Sequence, residues 1–377
     1  MLILAAILAI LVYGMIAAML GTILPDLSKR FNLTPSQNGN IALAQAIGLI
    51  VASVSVGPLI DNEGKKVGLV LGLALIAVAL FLLPKSKGYG QIAMYMLLLG
   101  LGGGIIVTGA NALVSDIGAE RRAAVLNFLN LFFGLGGLAT PFISANLLGN
   151  NSRRLCYLTA ILTVVTLAIH AVAPIPGPTG ERGFQFSQAG DLLGSPVLWL
   201  LCLMLFLYVA CEVGIWNWLA RHLIAQGIPE SKALNILSLG FALGLLLGRI
   251  AVAPLFEKLS PPNVTLIAAV LMTVTTFFAL RTKQPTVAWI TVFLAGIAMA
   301  PVFPTTLAMV GGAFKVATAT AMGIVITFGW VGLAVSSRII GAIAGTDPKK
   351  LRSALLLIPA ASAIMIVVNL VLRPMLP

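Results

Sequence analysis

Glu212 sits inside residues 197–223, VLWLLCLMLFLYVACEVGIWNWLARHL, an apolar run long enough to cross a bilayer. A carboxylate at membrane depth costs a few kcal/mol or more, so it is retained for a role. At helical spacing, Tyr208, Glu212 and Trp216 fall on one face (i, i+4, i+8). A lipid-facing helix has no use for such a face. A water-filled cavity that binds something polar does, and a carboxyl placed there can hold a substrate hydroxyl or carry a proton.

Other apolar runs contribute groups of the same kind. Gln45, Asn111, Asn127, Asn130, Asn217 and Thr305 bring amides and a hydroxyl, and Trp216 and Trp330 bring flat apolar faces. This is the chemistry of a site for a neutral sugar, mostly apolar with a few placed polar groups. Each residue also has a plainer reading. Glu212 can bond a neighbouring helix, Asn127 and Asn130 can join helices, and the tryptophans can serve packing alone. Two arginines also fall in apolar runs. Arg249 reads as a gate or helix-cap residue, and Arg338 either pairs with Glu212 or with substrate, or snorkels to the interface. His170, near the end of a run, reads as interfacial.

The elements that must position these residues are membrane helices. The 377 residues are 59% hydrophobic and 9% charged, where a soluble domain carries about 25% charged residues. The apolar runs have helix length, not the short alternation of a membrane barrel. The 38 glycines suit close helix approach in lipid. The formal net charge of +12 belongs mostly to short links, which points to lipid head groups and not to nucleic acid. Cys156, Cys202 and Cys211 all lie in apolar runs, so neither a disulfide framework nor a metal site is expected. The first apolar run lacks a basic leader and a cleavage site, so it reads as a span. No Walker-type loop is present, and no cofactor is implied.

About twelve spans are predicted: 2–25, 36–60, 66–84, 91–114, 123–148, 153–174, 197–222, 233–256, 263–281, 286–312, 317–344 and 352–373. The polar, Pro/Gly-rich stretch 175–196 divides them. The expected organisation is a six-helix bundle over 1–174, a cytoplasmic linker over 175–196 and a second six-helix bundle over 197–377. Paired six-span halves are the architecture of secondary transporters with internal repeats. Pro301 and Pro304 interrupt the tenth span, where broken backbone is tolerated only beside protein or a cavity.

The link between spans 2 and 3 reads GPLIDNEGKKVG, with Gly57, Asp61, Gly64, Lys65 and Lys66. Asp61 is suited to bond the N-terminal end of a neighbouring helix, and the lysines to bond carbonyl ends. This link resembles the signature loop of the major facilitator superfamily, with Asn62 in place of the usual basic residue. Gly248-Arg249 followed by Glu257-Lys258 looks like a worn copy. Three further stretches resemble the fucose–galactose–glucose:proton symporter family and related glucose transporters: TGANALVSDIGAERRAAVLNFLNLFFGLGGLATP (108–141), FLYVACEVGIWNW (206–218) and GIAMAPVFPTTLAM (296–309). The resemblance implies an all-α membrane protein with twelve transmembrane helices in two pseudo-symmetric bundles, a monomer in a bacterial-type inner membrane with both termini cytoplasmic. It implies transport of a monosaccharide by alternating access, with a proton or sodium ion as partner. The acids expected within the first and fourth helices of that family are absent here, so coupling falls to Glu212. Asp61, Arg249 and Arg338 complete the coupling or gating set. Efflux of amphipathic drugs or metabolites is the alternative for the same fold.

Loop charge disagrees with this orientation. With the N-terminus inside, the cytoplasmic links hold seven Lys and Arg and the external links twelve. The positive-inside rule favours the reverse.

Overall fold

The structure is a computed structural model that describes residues 2–33, 35–177, 186–315, 317–344 and 348–376. Sixteen α-helices are present among them and no strand. They are α1 (Leu2–Phe31), α2 (Pro35–Glu63), α3 (Lys65–Leu82), α4 (Tyr89–Ile117), α5 (Arg122–Asn146), α6 (Ser152–Val172), α7 (Phe186–Gly194), α8 (Pro196–Ala225), α9 (Glu230–Asn235), α10 (Leu243–Val252), α11 (Pro261–Ala279), α12 (Pro285–Met299), α13 (Val302–Ala313), α14 (Thr318–Ala344), α15 (Pro348–Leu355) and α16 (Leu357–Leu372).

Among the described residues, twelve segments are long and apolar enough to span a membrane, and they match the predicted spans to within a few residues. Helices are the form open to such segments, because a helix satisfies its own backbone groups where no water is at hand. Among the described residues, breaks fall within the eighth, tenth and twelfth spans, the last at Leu356 between α15 and α16. The eighth begins with a π-helical stretch, Ile236–Ala242, that runs into α10. The tenth breaks between Met299 and Val302 into α12 and α13, at Pro301; Pro304, also expected to break it, is the third residue of α13. The stretch expected to be a linker contains α7; residues 178–185 of it lie outside the described residues.

The helices pack as two compact units. The first comprises Met1–Gly118, Leu129–Gly190 and Phe314–Thr327. The second comprises Ala119–Phe128, Asp191–Ala313 and Phe328–Pro377. The start of α5 therefore packs with helices of the second half of the sequence, and the start of α14 with helices of the first.

Each unit is built on a glycine seam of the same design. In the first, α2 lies on α4: a Cβ on Gly48 would overlap the Leu97 carbonyl, and one on Gly100 the Gln45 carbonyl. In the second, the eighth span lies on α12: a Cβ on Gly244 would overlap the Phe293 carbonyl, and one on Gly296 the Phe241 carbonyl. Each glycine meets the residue three positions before its partner glycine, and every residue of the second seam lies 196 positions after its counterpart. Small residues let helix backbones touch where lipid supplies no hydrophobic drive for association. The recurrence of one seam at one spacing shows that the two halves repeat.

Candidate functional site

In the second unit, α8 carries the polar strip read from the sequence. Tyr208 is fully buried, Glu212 is half-buried and Trp216 is 38% exposed, so the strip runs from core to surface. The Glu212 carboxyl faces the Tyr208 hydroxyl and the Trp216 indole, and the Arg249 guanidinium acts on it electrostatically. Arg249 is buried on α10. It follows Gly248, where a Cβ would press on Ile297 and Ala300, so α10 lies against α12 at this level. Trp216 packs edge-on against Phe241, with ring centroids 5.3 Å apart. Phe241 belongs to the π-helical stretch, a feature that re-aims the side chains beyond it and recurs at functional sites.

The same unit contains Asn127, at the start of α5, and Thr305 on α13. Asn127 Nδ2 donates to Thr305 Oγ1 at 3.2 Å and to the Ala123 carbonyl at 2.8 Å. Both residues are fully buried, and Asn127 Oδ1 has no hydrogen-bond partner among the described residues. Such an acceptor away from water is uncommon and calls for a donor. Asn217 is exposed and Trp330 half-buried.

The remaining amides lie in the first unit and are used between helices. Asn130 Nδ2 donates to Asn111 Oδ1 at 3.0 Å, and Asn111 Nδ2 to the Val107 carbonyl at 2.7 Å. Gln45 Nε2 donates to the Ile16 carbonyl at 3.3 Å. Asn127 and Asn130, one turn apart in sequence, thus fall in different units.

Asp61, also in the first unit, closes the N-terminal end of α14. Its carboxylate accepts from the backbone N–H of Ala319 at 3.2 Å, from that of Thr320 at 2.8 Å and from the Thr320 hydroxyl at 2.6 Å. A carboxylate at a helix N-terminus satisfies otherwise unpaired N–H groups and the positive end of the helix dipole. Lys65 forms an ion pair of 2.8 Å with Asp116, and Lys66 donates to the Ala173 carbonyl at the end of α6 at 3.2 Å. The expectation that Asp61 and a lysine of this link bond helix ends agrees with this geometry.

Known proteins share this architecture. The family model described as Major Facilitator Superfamily matches residues 6–336. The chain belongs to that superfamily. It is 22% identical over 284 residues to Bypass of stop codon protein 6 of Saccharomyces cerevisiae, covering 68% of this chain and 57% of that protein. It is 31% identical over 136 residues to Sodium-dependent glucose transporter 1 of Rattus norvegicus, covering 36% of this chain and 28% of that one. The chain thus spans well under two thirds of the length of both. With the glucose/mannose transporter GlcP of Bacillus subtilis it shares 24% identity over 314 residues, 78% of this chain and 76% of that protein. The crystal structure of the E. coli fucose:proton symporter FucP superposes with a TM-score of 0.85 at 17% identity, covering 98% of each chain. That likeness establishes the fold: twelve helices in two pseudo-symmetric bundles.

As a member of the superfamily with twelve membrane-length segments among its described residues, the chain is a multi-pass membrane protein. One sequence reading needs correction, and one open alternative is narrowed. Arg249 is the arginine that acts on Glu212, and the exposure of Arg338 on α14 agrees with the alternative in which it snorkels. His170 is not interfacial: it is fully buried, with Nδ1 2.8 Å from the Thr166 carbonyl. The pairing of Glu212 with Arg249 had no signal in the sequence beyond the presence of both charges in apolar runs.

Proposed function

We propose that this transporter moves a small polar solute, a monosaccharide of the glucose, galactose or fucose type, by alternating access, and that Glu212 couples the movement to a proton or another cation. The observation that carries this reading is the cluster of Tyr208, Glu212, Trp216 and Arg249 at membrane depth in the second unit. Carboxylate, guanidinium and phenol suit the hydroxyls of a sugar, and the exposed Trp216 suits the C–H face of its ring. The names of the two glucose-transporting relatives and of the fucose symporter support the same class of solute.

Coupling rests on the electrostatic attraction between Glu212 and Arg249. While Glu212 is ionised it attracts Arg249; a proton on Glu212 removes that attraction and leaves the charge of the guanidinium to act on solute. A cation in place of the proton acts on the carboxylate in the same way. Gln45, Asn111, Asn127, Asn130, Asn217, Thr305 and Trp330 complete the proposed substrate set. Asp61 serves as a latch on α14, and Arg338 as a second cation of the gating set. With the link bearing Asp61 on the cytoplasmic side, both termini are cytoplasmic.

Uptake of radiolabelled monosaccharides into proteoliposomes, with and without a pH gradient, tests the reading. Wild-type protein is expected to accumulate one of them in response to the gradient. Glu212→Gln is expected to lose accumulation while keeping exchange of internal for external sugar. Accumulation unchanged in Glu212→Gln removes the coupling assignment, and failure of every monosaccharide to enter removes the solute class.

A further inference from the structure

The two ends of the first unit differ sharply in charge. At one end lie the links after α1, α3 and α5. These links and the helix turns that flank them carry Lys29, Arg30, Lys85, Lys87, Arg153 and Arg154, all exposed, against the single acid Asp26. Contacts hold these links together. Arg30 Nη2 donates to the Pro84 carbonyl at 3.3 Å, joining the first link to the second. Asp26 accepts from the backbone N–H of Ser152 at 3.2 Å, and from its hydroxyl, joining the first link to the third. Asp26 is thereby occupied at the start of α6 and leaves the six cations without an acid beside them in these links.

The opposite end is different. There Lys65 is spent on Asp116 and Lys66 on the Ala173 carbonyl, and Asp61 and Glu63 lie close by in sequence. Lys65, Lys66 and Asp61 are taken up within the fold there, whereas the six cations of the first end are exposed.

Aromatic residues gather at the same level as the six cations. The Arg30 guanidinium lies 4.8 Å from the centre of the Phe31 ring. Phe81, in the last turn of α3, and Tyr157, in the second turn of α6, pair with ring centroids 6.2 Å apart. Tyr89 opens α4. Aromatic side chains at helix ends mark the depth of the lipid head groups. We propose that this end of the first unit binds anionic phospholipids, with its exposed lysines and arginines holding lipid phosphates around the rim. The aromatic level favours lipid over a dissolved anion, because it fixes the cations at the surface of the bilayer, where basic clusters meet anionic head groups. The excess of cationic links that opposes the proposed orientation then has a use of its own.

The test compares the full chain in nanodiscs of phosphatidylcholine with nanodiscs in which part of that lipid is replaced by phosphatidylglycerol. The thermal unfolding midpoint of the wild type is expected to rise by several degrees with phosphatidylglycerol and to lose most of that rise in high salt, which screens exposed charges. The combined variant Lys85→Gln, Lys87→Gln, Arg153→Gln, Arg154→Gln is expected to match the wild type in phosphatidylcholine and to show little rise. It leaves Arg30 and Asp26 in place, so the contacts that join the links remain. An equal midpoint for the wild type in both lipids overturns the proposal without reference to any variant. So does a full rise in the variant. A rise reproduced by soluble glycerol phosphate in phosphatidylcholine discs also overturns it, because the ligand would then be a free anion. Both leaflets of a nanodisc have one composition, so the result does not depend on orientation or on the transported solute.

Discussion

Replacing Asp61 by Asn removes a charge from the N-terminal end of α14 and one of two oxygens that receive three hydrogen bonds there. The reach of the carboxylate is set by close packing. A Cβ on Gly57, one turn before Asp61, would overlap the backbone of Thr320, and one on Gly323 would overlap the Ser53 carbonyl. The helices touch on both sides of the contact, so the carboxylate has no need to bend toward its donors. Hydrogen bonds to a charged group contribute about 1.5–3 kcal/mol each, and Asn retains one acceptor oxygen while turning an NH2 toward backbone N–H groups. Adding the lost dipole interaction, Asp61→Asn is expected to cost about 2–3 kcal/mol of local stability. Thr320→Val keeps the backbone bonds and the shape, and is expected to cost about 1 kcal/mol. Hydrogen–deuterium exchange of peptides covering 317–327 reads this directly. Protection of the first turn of α14 is expected to fall about 30- to 150-fold in Asp61→Asn, one decade for each 1.4 kcal/mol, and several-fold in Thr320→Val. The two changes touch one network, so the double variant is expected to lose less than the sum. Protection unchanged in a folded Asp61→Asn protein would refute the assignment of this carboxylate as the latch on α14.

Three further outcomes are expected from other contacts. Gly48→Leu and Gly244→Leu force a side chain onto a helix backbone and are each expected to cost about 3 kcal/mol or more, read as loss of folded protein in the membrane; Gly21→Leu, where a Cβ meets nothing within 4 Å, is the control expected to fold normally. His222 is 1% exposed, and its Nε2 lies 3.1 Å from the Leu280 carbonyl and 2.7 Å from Gln226 Nε2. Burial pushes its pKa below the ordinary value, against the Leu280 carbonyl and with help from Arg352 on α15, so the neutral ring is the folded form. Stability is therefore expected to be level above about pH 7, to decline as pH falls below about 6.5 because the unfolded chain takes up the proton first, and to lose that decline in His222→Gln; thermal midpoints across pH check it. Arg249→Ser alone leaves the Glu212 carboxylate without its cation and is expected to lower the thermal midpoint, whereas Glu212→Ala with Arg249→Ser is expected to restore it and still abolish uptake. Additive losses in the double variant would show that the two charges do not act as a pair.

Much of the scaffold was legible because hydropathy and punctuation control it. Apolar length placed the spans, and Pro301 marked the break between α12 and α13. The role of Asp61 toward a helix end was readable because an acid beside glycines in a tight link has few other uses. The hidden part depends on the rotation of one helix against another. Arg249, and not Arg338, acts on Glu212; Arg249 follows a π-helical stretch that alters the facing of the residues after it, and no residue type announces such a stretch. The amides illustrate the same limit. Composition reported that Asn111, Asn127 and Asn130 were polar groups in apolar runs, but only packing shows that Asn130 bonds Asn111 while Asn127 bonds Thr305. His170 misled for a related reason. Its place near the end of a run suggested the interface, yet its ring turns back along α6 to the Thr166 carbonyl and stays in the core.

The internal repeat separates what the fold requires from what it merely permits. On α1 and α8 the counterparts are 195 positions apart: a Cβ on Gly136 would overlap the Leu11 carbonyl, and one on Gly332 the Phe206 carbonyl. Tyr13 and Tyr208 are then equivalent, and both are buried. That tyrosine recurs, so it belongs to the scaffold as much as to a site. Glu212 corresponds to Ala17, and Arg249, by the spacing of 196 in the glycine seams, corresponds to Ser53. The first unit thus builds the same helix pairs with a methyl group and a hydroxyl where the second unit places a carboxylate and a guanidinium. Packing of the repeated design needs neither charge. Two opposite charges that enter together, on two different helices, at positions the scaffold fills with small residues, are maintained against the cost of burying them. Small residues at both positions are therefore tolerable to the fold, and one charge without the other is not.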